Sequence, residues 1–201
     1  GGRGRRAGGG GGAPAEAFRG PAAEAGGAFG DDRLFLERKV SGGRHIEVQI
    51  ARDAGGRTLA LGCRDCSVQR RHQKLIEEAP PPGLSPALLE TLVRSASRLA
   101  DRVGYVGVGT VEFLVAGESA SFLEVNPRLQ VEHGVTEVLT GVDLVQLQIR
   151  IGRGESIAGL RVREAGAAIE ARVCAEDPEQ GFLPGPGRVA RFDAALGPGL
   201  R

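Results

Sequence analysis

Methionine and tryptophan are absent from the 201 residues, tyrosine occurs once, and aromatics make up 4% of the chain. So few rings argue against a surface that binds single-stranded nucleic acid by base stacking. Excess charge is lacking too: 26 Lys and Arg stand against 25 Asp and Glu, a formal net charge of +1. That balance supplies no electrostatic drive toward nucleic acid or an anionic membrane. No apolar run approaches the roughly 18 to 20 residues that a membrane span needs. Cysteine occurs three times at irregular spacing, which fits a reducing compartment better than a disulfide scaffold. No apolar stretch follows Gly1 to Arg6, so the start does not read as a signal peptide. Without any Met, the chain reads as an internal piece of a longer protein.

What is present is a 41% apolar fraction, enough to build a core. Residues 1 to 30 are mostly Gly and Ala. They read as a flexible linker, or as a glycine loop over phosphates followed by a poorly determined helix. Arg33 to Val40 reads as a short strand. His45 to Ala51 alternates, with Ile46, Val48 and Ile50 on one face and His45, Glu47 and Gln49 on the other. Asp53 to Gly56 is a turn by composition, and Arg57 to Gly62 the returning strand. Pro80-Pro81-Pro82-Gly83 breaks the chain, and Ser85 can cap a helix that begins at Pro86. Leu88, Leu89, Leu92, Val93, Ala96, Leu99 and Ala100 recur at helical spacing, and Gly104 stops that helix. Tyr105 to Val115 and Ser121 to Asn126 form a second hairpin through residues 117 to 119. A helix is expected from about Val142 to Ile151, and a strand over Ala168 to Ala175. Hairpins beside single amphipathic helices make the fold class α+β. A domain boundary falls in the polar segment 155 to 165, giving domains 1–155 and 156–201.

The densest functional chemistry lies in Phe122 to His133. Glu124 and Asn126 share a strand face, and Arg128, Gln130, Glu132 and His133 follow within a few residues. If the second hairpin pairs across its turn, Glu112 comes close to Glu124. Like charges that close are destabilising unless a cation lies between them. With Asn126 they form a set of hard oxygen ligands, the type magnesium takes when it also binds substrate phosphates. The competing reading puts both carboxylates on a solvent face. The run Asp65 to Lys74 could hold an anion, or be an ordinary solvated basic stretch. Cys63-Arg64-Asp65-Cys66 has the spacing of half a zinc site or a redox pair. It lacks a second ligand pair and the strand-to-helix context, so the spacing is a weak signal for either role.

Three stretches carry a family resemblance. Asp65-Cys66-Ser67-Val68-Gln69-Arg70-Arg71-His72-Gln73-Lys74 with Glu77-Glu78-Ala79-Pro80, then Phe122 to His133, then Ala168 to Pro178, resemble the signatures of biotin carboxylases in order and spacing. The similarity runs from about Phe29 to about Phe192. The resemblance implies an ATP-grasp fold, incomplete on its N-terminal side, followed by the start of the C-terminal domain. It implies ATP-dependent carboxylation of biotin by bicarbonate, with magnesium or manganese. Glu37, Arg38, Lys39 and Val40 match the strand that holds adenine, and His45, Gln69 and His72 match nucleotide contacts. Gly1 and Gly2 match the end of the phosphate loop. Glu112, Glu124 and Asn126 match the metal set. Lys74, Arg128 and Val131 match the bicarbonate pocket, Glu132 the general base, and Arg172 the residue that steadies the biotin enolate.

The resemblance also implies partners: a biotin carboxyl carrier, a carboxyltransferase and a second copy of the full-length chain. It implies a cytoplasmic or mitochondrial-matrix location and leans toward the acyl-CoA carboxylase type. Cys63 departs from the pattern, where Glu is usual, and residues 5 to 28 match poorly. The chain begins after two lysines that the family uses on ATP phosphates, so this chain alone is expected to be inactive. Alternatives are another ATP-grasp ligase of the carbamoyl-phosphate synthetase kind and a nucleotide-binding remnant without turnover.

Overall fold

In a computed structural model the structure describes residues 14–34, 39–194 and 197–200. It is α+β, as expected. The elements are α1 (Pro14–Phe29), β1 (Arg44–Arg52), β2 (Thr58–Arg70), β3 (Gln73–Ala79), α2 (Pro86–Arg102), β4 (Gly107–Ala116), β5 (Ser119–Asn126), α3 (His133–Thr140), α4 (Leu144–Gly152), β6 (Ala168–Ala171), β7 (Glu176–Asp177) and β8 (Leu183–Pro184). Six strands form one sheet in the order β5-β4-β1-β2-β3-β6. The chain divides into two compact units, one ending at Glu170 and one beginning at Ala171. The second unit contains the β7–β8 pair.

The sheet's first face is apolar because β1 alternates. Ile46, Val48 and Ile50 are buried with Val111, Phe113 and Val115 of β4 and with Leu88, Leu92, Ala96 and Ala100 of α2. Those four α2 residues recur at i+4, one stripe of a helix. Ser85 caps α2 as expected, accepting a hydrogen bond from the Leu88 amide at 3.2 Å, and Pro86 supplies the pre-set first turn. The other face carries the residues of opposite parity. At one end Ala51, Leu61 and Val108 pack under α4 through Leu144, Leu147 and Ile151. At the other end the same face holds His45, Glu47 and Gln49, and both Glu47 and Gln49 are completely buried.

Several expectations change. The described part of the glycine-rich start is a helix, α1, with Pro21 inside it. Of the strand expected over 33–40, the described residues 33, 34, 39 and 40 are irregular. Arg33 instead closes a local ion pair with Asp31 at 2.5 Å. The returning strand β2 runs on to Arg70, so the basic run belongs to the β2–β3 hairpin. Its turn residues Arg71 and His72 both have positive φ, 50° and 65°, the left-handed pair a two-residue hairpin requires. The strand over 168–175 ends at Ala171. His133, read as the end of a polar loop, opens α3, which runs to Thr140.

The expected boundary at 155/156 precedes the compact division because residues 156–170 are tied to the first unit. Asp53 accepts from the Ile157 amide at 2.9 Å, and the Ala165 amide bonds Leu139 O at 3.0 Å.

Candidate active site

The site forms where strand register brings separate acidic residues onto one face. Glu47 of β1 stands opposite Glu112 of β4, and Glu112 opposite Glu124 of β5. The hairpin pairing inferred from the 117–119 turn is therefore present. Glu132 enters from the residue just before α3, and Lys74 from β3 beside Gln69 of β2.

The Lys74 ammonium is the centre. Its Nζ donates to Glu132 Oε1 at 2.5 Å, to Glu47 Oε2 at 2.6 Å and to Glu112 Oε1 at 3.0 Å. All three carboxylates are buried. Burial alone lowers the pKa of an amine, yet the three acids overcome it and raise Lys74 above its ordinary value. The acids respond in kind. Burial pushes Glu112 up, but contact with His45 and the charge of Lys74 hold it down at about 2. Burial likewise pushes Glu132 up, and the hydrogen bond and charge of Lys74 bring it below the usual carboxylate range. Glu132 also sits at the N-terminus of α3, where the helix dipole favours an anion.

Glu112 is the most contacted of the three. Its Oε1 accepts from Lys74, from Asn126 Nδ2 at 2.9 Å and from Gln130 Nε2 at 3.0 Å. Its Oε2 lies 2.9 Å from His45 Nε2, a close polar contact without the alignment of a full hydrogen bond. Gln69 Nε2 lies 2.7 Å from His45 Nδ1 and donates to Cys66 O at 2.7 Å, which fixes the imidazole. Arg128 is exposed and reaches Asn126 Oδ1 at 3.4 Å.

Thus Lys74, Glu112, Glu132, His45, Gln69, Gln130 and Asn126 come together, with Glu124 opposite Glu112 and Arg128 linked through Asn126. Val131 stands exposed at the rim and His72 exposed on the hairpin turn. Lys39 and Val40 occupy an irregular segment before β1. Arg172 belongs to the second compact unit. Gly1, Gly2, Glu37 and Arg38 lie outside the described residues. Cys63 and Cys66 face opposite ways: Cys63 joins the α2-side core, while Cys66 lies near Glu47 and Glu132. Residues three apart on a strand cannot chelate together.

Two participants were not singled out from sequence. Glu47 shares a face with His45 two residues away, and that alternation was its signal. Arg64 has no exposed surface, and its Nε donates to Glu47 Oε1 at 2.6 Å. Glu112 and Glu124 suit a hard cation, because this face carries more carboxylates than buried cations. Asn126 presents its amide nitrogen to Glu112 and its oxygen to Arg128, and a half-turn of the amide exchanges them.

The profile of the carbamoyl-phosphate synthase L chain ATP-binding domain matches residues 1–160. The chain belongs to that family. Pyruvate carboxylase 1 of Caenorhabditis elegans is 51% identical over 92% of this chain and 16% of its own length. The biotin carboxylase of Halalkalibacterium halodurans is 49% identical over 92% of this chain and 42% of its own. The chain therefore spans less than half the length of these relatives. Among solved structures, the biotin carboxylase domain of Hydrogenobacter thermophilus 2-oxoglutarate carboxylase, in complex with MgADP, ADP and bicarbonate, superimposes with a TM-score of 0.84. It is 41% identical over 91% of this chain and 41% of that one. A Campylobacter jejuni biotin carboxylase complex gives 0.83 at 40% identity, over 90% of this chain and 41% of that one. The described fold is thus that of the biotin carboxylase ATP-grasp domain. Among the described residues no helix is long and apolar enough to cross a membrane.

Proposed function

We propose that this chain is the central part of a biotin carboxylase, which uses ATP to activate bicarbonate and carboxylate biotin. The observation that carries the reading is the Lys74 ammonium, locked between Glu132, Glu47 and Glu112 at 2.5 to 3.0 Å. A buried cation beside a carboxylate held ionised suits a small anion that must lose a proton. Bicarbonate binds to Lys74 and Arg128 with the Val131 backbone at its edge, and much of the gain is positioning. As the anion draws on Lys74, Glu132 loses part of its ion-pair stabilisation and becomes a stronger base. Glu132 then takes the bicarbonate proton, and the freed oxygen attacks the γ-phosphate of ATP. The products are carboxyphosphate and ADP.

A magnesium or manganese ion held by Glu112, Glu124 and Asn126 would neutralise charge on the phosphate oxygens. His45, Gln69 and His72, with residues 37–40 and the Gly1–Gly2 end of a phosphate loop, contact the nucleotide. Carboxyphosphate yields carbon dioxide and phosphate, the phosphate removes the ureido proton of biotin, and Arg172 stabilises the anion.

The domain extends to about residue 155, with the C-terminal domain beginning from 156. The complete protein dimerises and serves a biotin carrier and a carboxyltransferase, of the acyl-CoA type, in the cytoplasm or mitochondrial matrix. The family name keeps a second reading in play, a ligase of the carbamoyl-phosphate kind. The full-length protein should cleave ATP in a bicarbonate- and biotin-dependent manner. Glu132→Gln should lose at least about 100-fold of that activity while still binding ATP. Stimulation by ammonia instead of biotin would support the second reading, and an unimpaired Glu132→Gln would remove the proposed base.

A further inference from the structure

We propose that Arg64 is a positioning residue for bicarbonate activation, acting through Glu47 on Lys74. The proposal rests on the biotin carboxylase reading for its kinetic consequence, and on geometry alone for the positioning itself.

Arg64 lies on β2 directly opposite Glu47 of β1 and is fully buried. Glu47 divides its two oxygens between two cations. Oε1 accepts from Arg64 Nε and Oε2 from Lys74 Nζ, each at 2.6 Å. The rest of the guanidinium is braced from other elements. Nη1 donates to Gln49 Oε1 at 2.8 Å and to Thr136 Oγ1 of α3 at 2.7 Å. Nη2 reaches Thr110 Oγ1 of β4 at 3.4 Å. Gln49 is itself tied to Gly109 O at 2.8 Å. A planar fork held from β1, β4 and α3 cannot swing, so it fixes the carboxylate it bonds.

Lys74 is the opposite kind of side chain, a point charge on a flexible stem with three acceptors around it. Only an acceptor that is itself immobile gives such an ammonium one preferred place. Glu112 and Glu132 have roles that require release: one faces the metal side, and the other must take a proton. Glu47 has none, and Arg64 keeps it in place throughout. A purely structural arginine would stabilise the sheet without affecting where Lys74 sits.

The test uses the full-length protein with Arg64→Lys, Glu47→Gln and the double variant. Lysine preserves the charge but cannot span the four partners. Without substrates, acetylation of Lys74 by an amine-acylating reagent is followed by peptide mass spectrometry. Each single variant should label Lys74 about 10-fold faster than wild type. In bicarbonate-dependent ATP cleavage, kcat should fall about 10- to 100-fold, the order seen when a partner that orients a ligand is lost. KM for ATP should stay within about two-fold, and the double variant should be no worse than Glu47→Gln. Unchanged Lys74 labelling, or kcat losses that add in the double variant, would overturn the proposal. Should Arg64→Lys fail to fold, Lys74 labelling of Thr136→Val, which removes a brace of the guanidinium and leaves Glu47 and Lys74 intact, decides in its place. A wild type without bicarbonate-dependent ATP cleavage would defeat the functional reading, while the labelling still judges the positioning.

Discussion

Replacing Lys74 by Met should reverse how stability depends on pH. The methionine retains most of the stem and removes the one charge that three buried carboxylates share. In the wild type Glu112 stands at about 2 against an ordinary 4.5, worth about 3 kcal/mol to its ionised form. A carboxylate depressed on folding contributes stability above its unfolded value, near 4.5. That contribution is lost as pH falls through its folded value, near 2. Glu132 is depressed in the same sense. Between about pH 5 and about pH 8 these two acids therefore leave wild-type stability level.

Without Lys74, Glu132 loses its main counterion and burial raises it, while His45 still holds Glu112 down. The Glu132 contribution is then present at low pH and lost as pH rises. Losing one partner of a buried ion pair costs about 3 to 5 kcal/mol when the others stay charged. Urea unfolding of wild type and Lys74→Met in the presence of a chelator, at about pH 5 and about pH 8, measures the difference. The deficit should be several kcal/mol at the higher pH and clearly smaller at the lower. A deficit below about 1 kcal/mol, or one equal at both pH values, would refute the ion-pair account.

The remaining predictions concern the scaffold. Ser85→Ala removes the cap of α2 and should cost about 1 kcal/mol in chemical denaturation; no change would mean the Leu88 amide finds another acceptor. Burial pushes the Cys63 thiol up to about 12 and raises Cys66 also. Both should resist a thiol reagent near pH 8 in the native protein and react once unfolded. Rapid native labelling of either would contradict the packing.

Local pattern was sufficient for much of this fold. The period-two alternation of β1, the Ser85–Pro86 start of α2 and the turn at 117–119 all appear where the sequence pattern puts them. The paired register of Glu112 and Glu124 follows from that turn. Less local features were not legible. The strand after Gly56 runs on to Arg70 because Arg71 and His72 take left-handed turn positions that Gly or Asn more often marks. The short helix α3 lacks a side-chain cap and has Gly at its second position, so its pattern resembles a loop.

The sequence by itself determined the alternating faces, the caps and the order of motifs that marks the family. These depend on residues a few positions apart, whose geometry the backbone sets. Only the tertiary structure decided that the polar face of β1 is buried rather than wet, because burial depends on what α3 and the neighbouring strands place over it. It also decided that Glu47, split between Arg64 and Lys74, joins the site. A charge on an alternating strand carries no label for its partner. The pairing arises only when strand register and helix packing bring residues 47, 64, 74, 112 and 132 to one place.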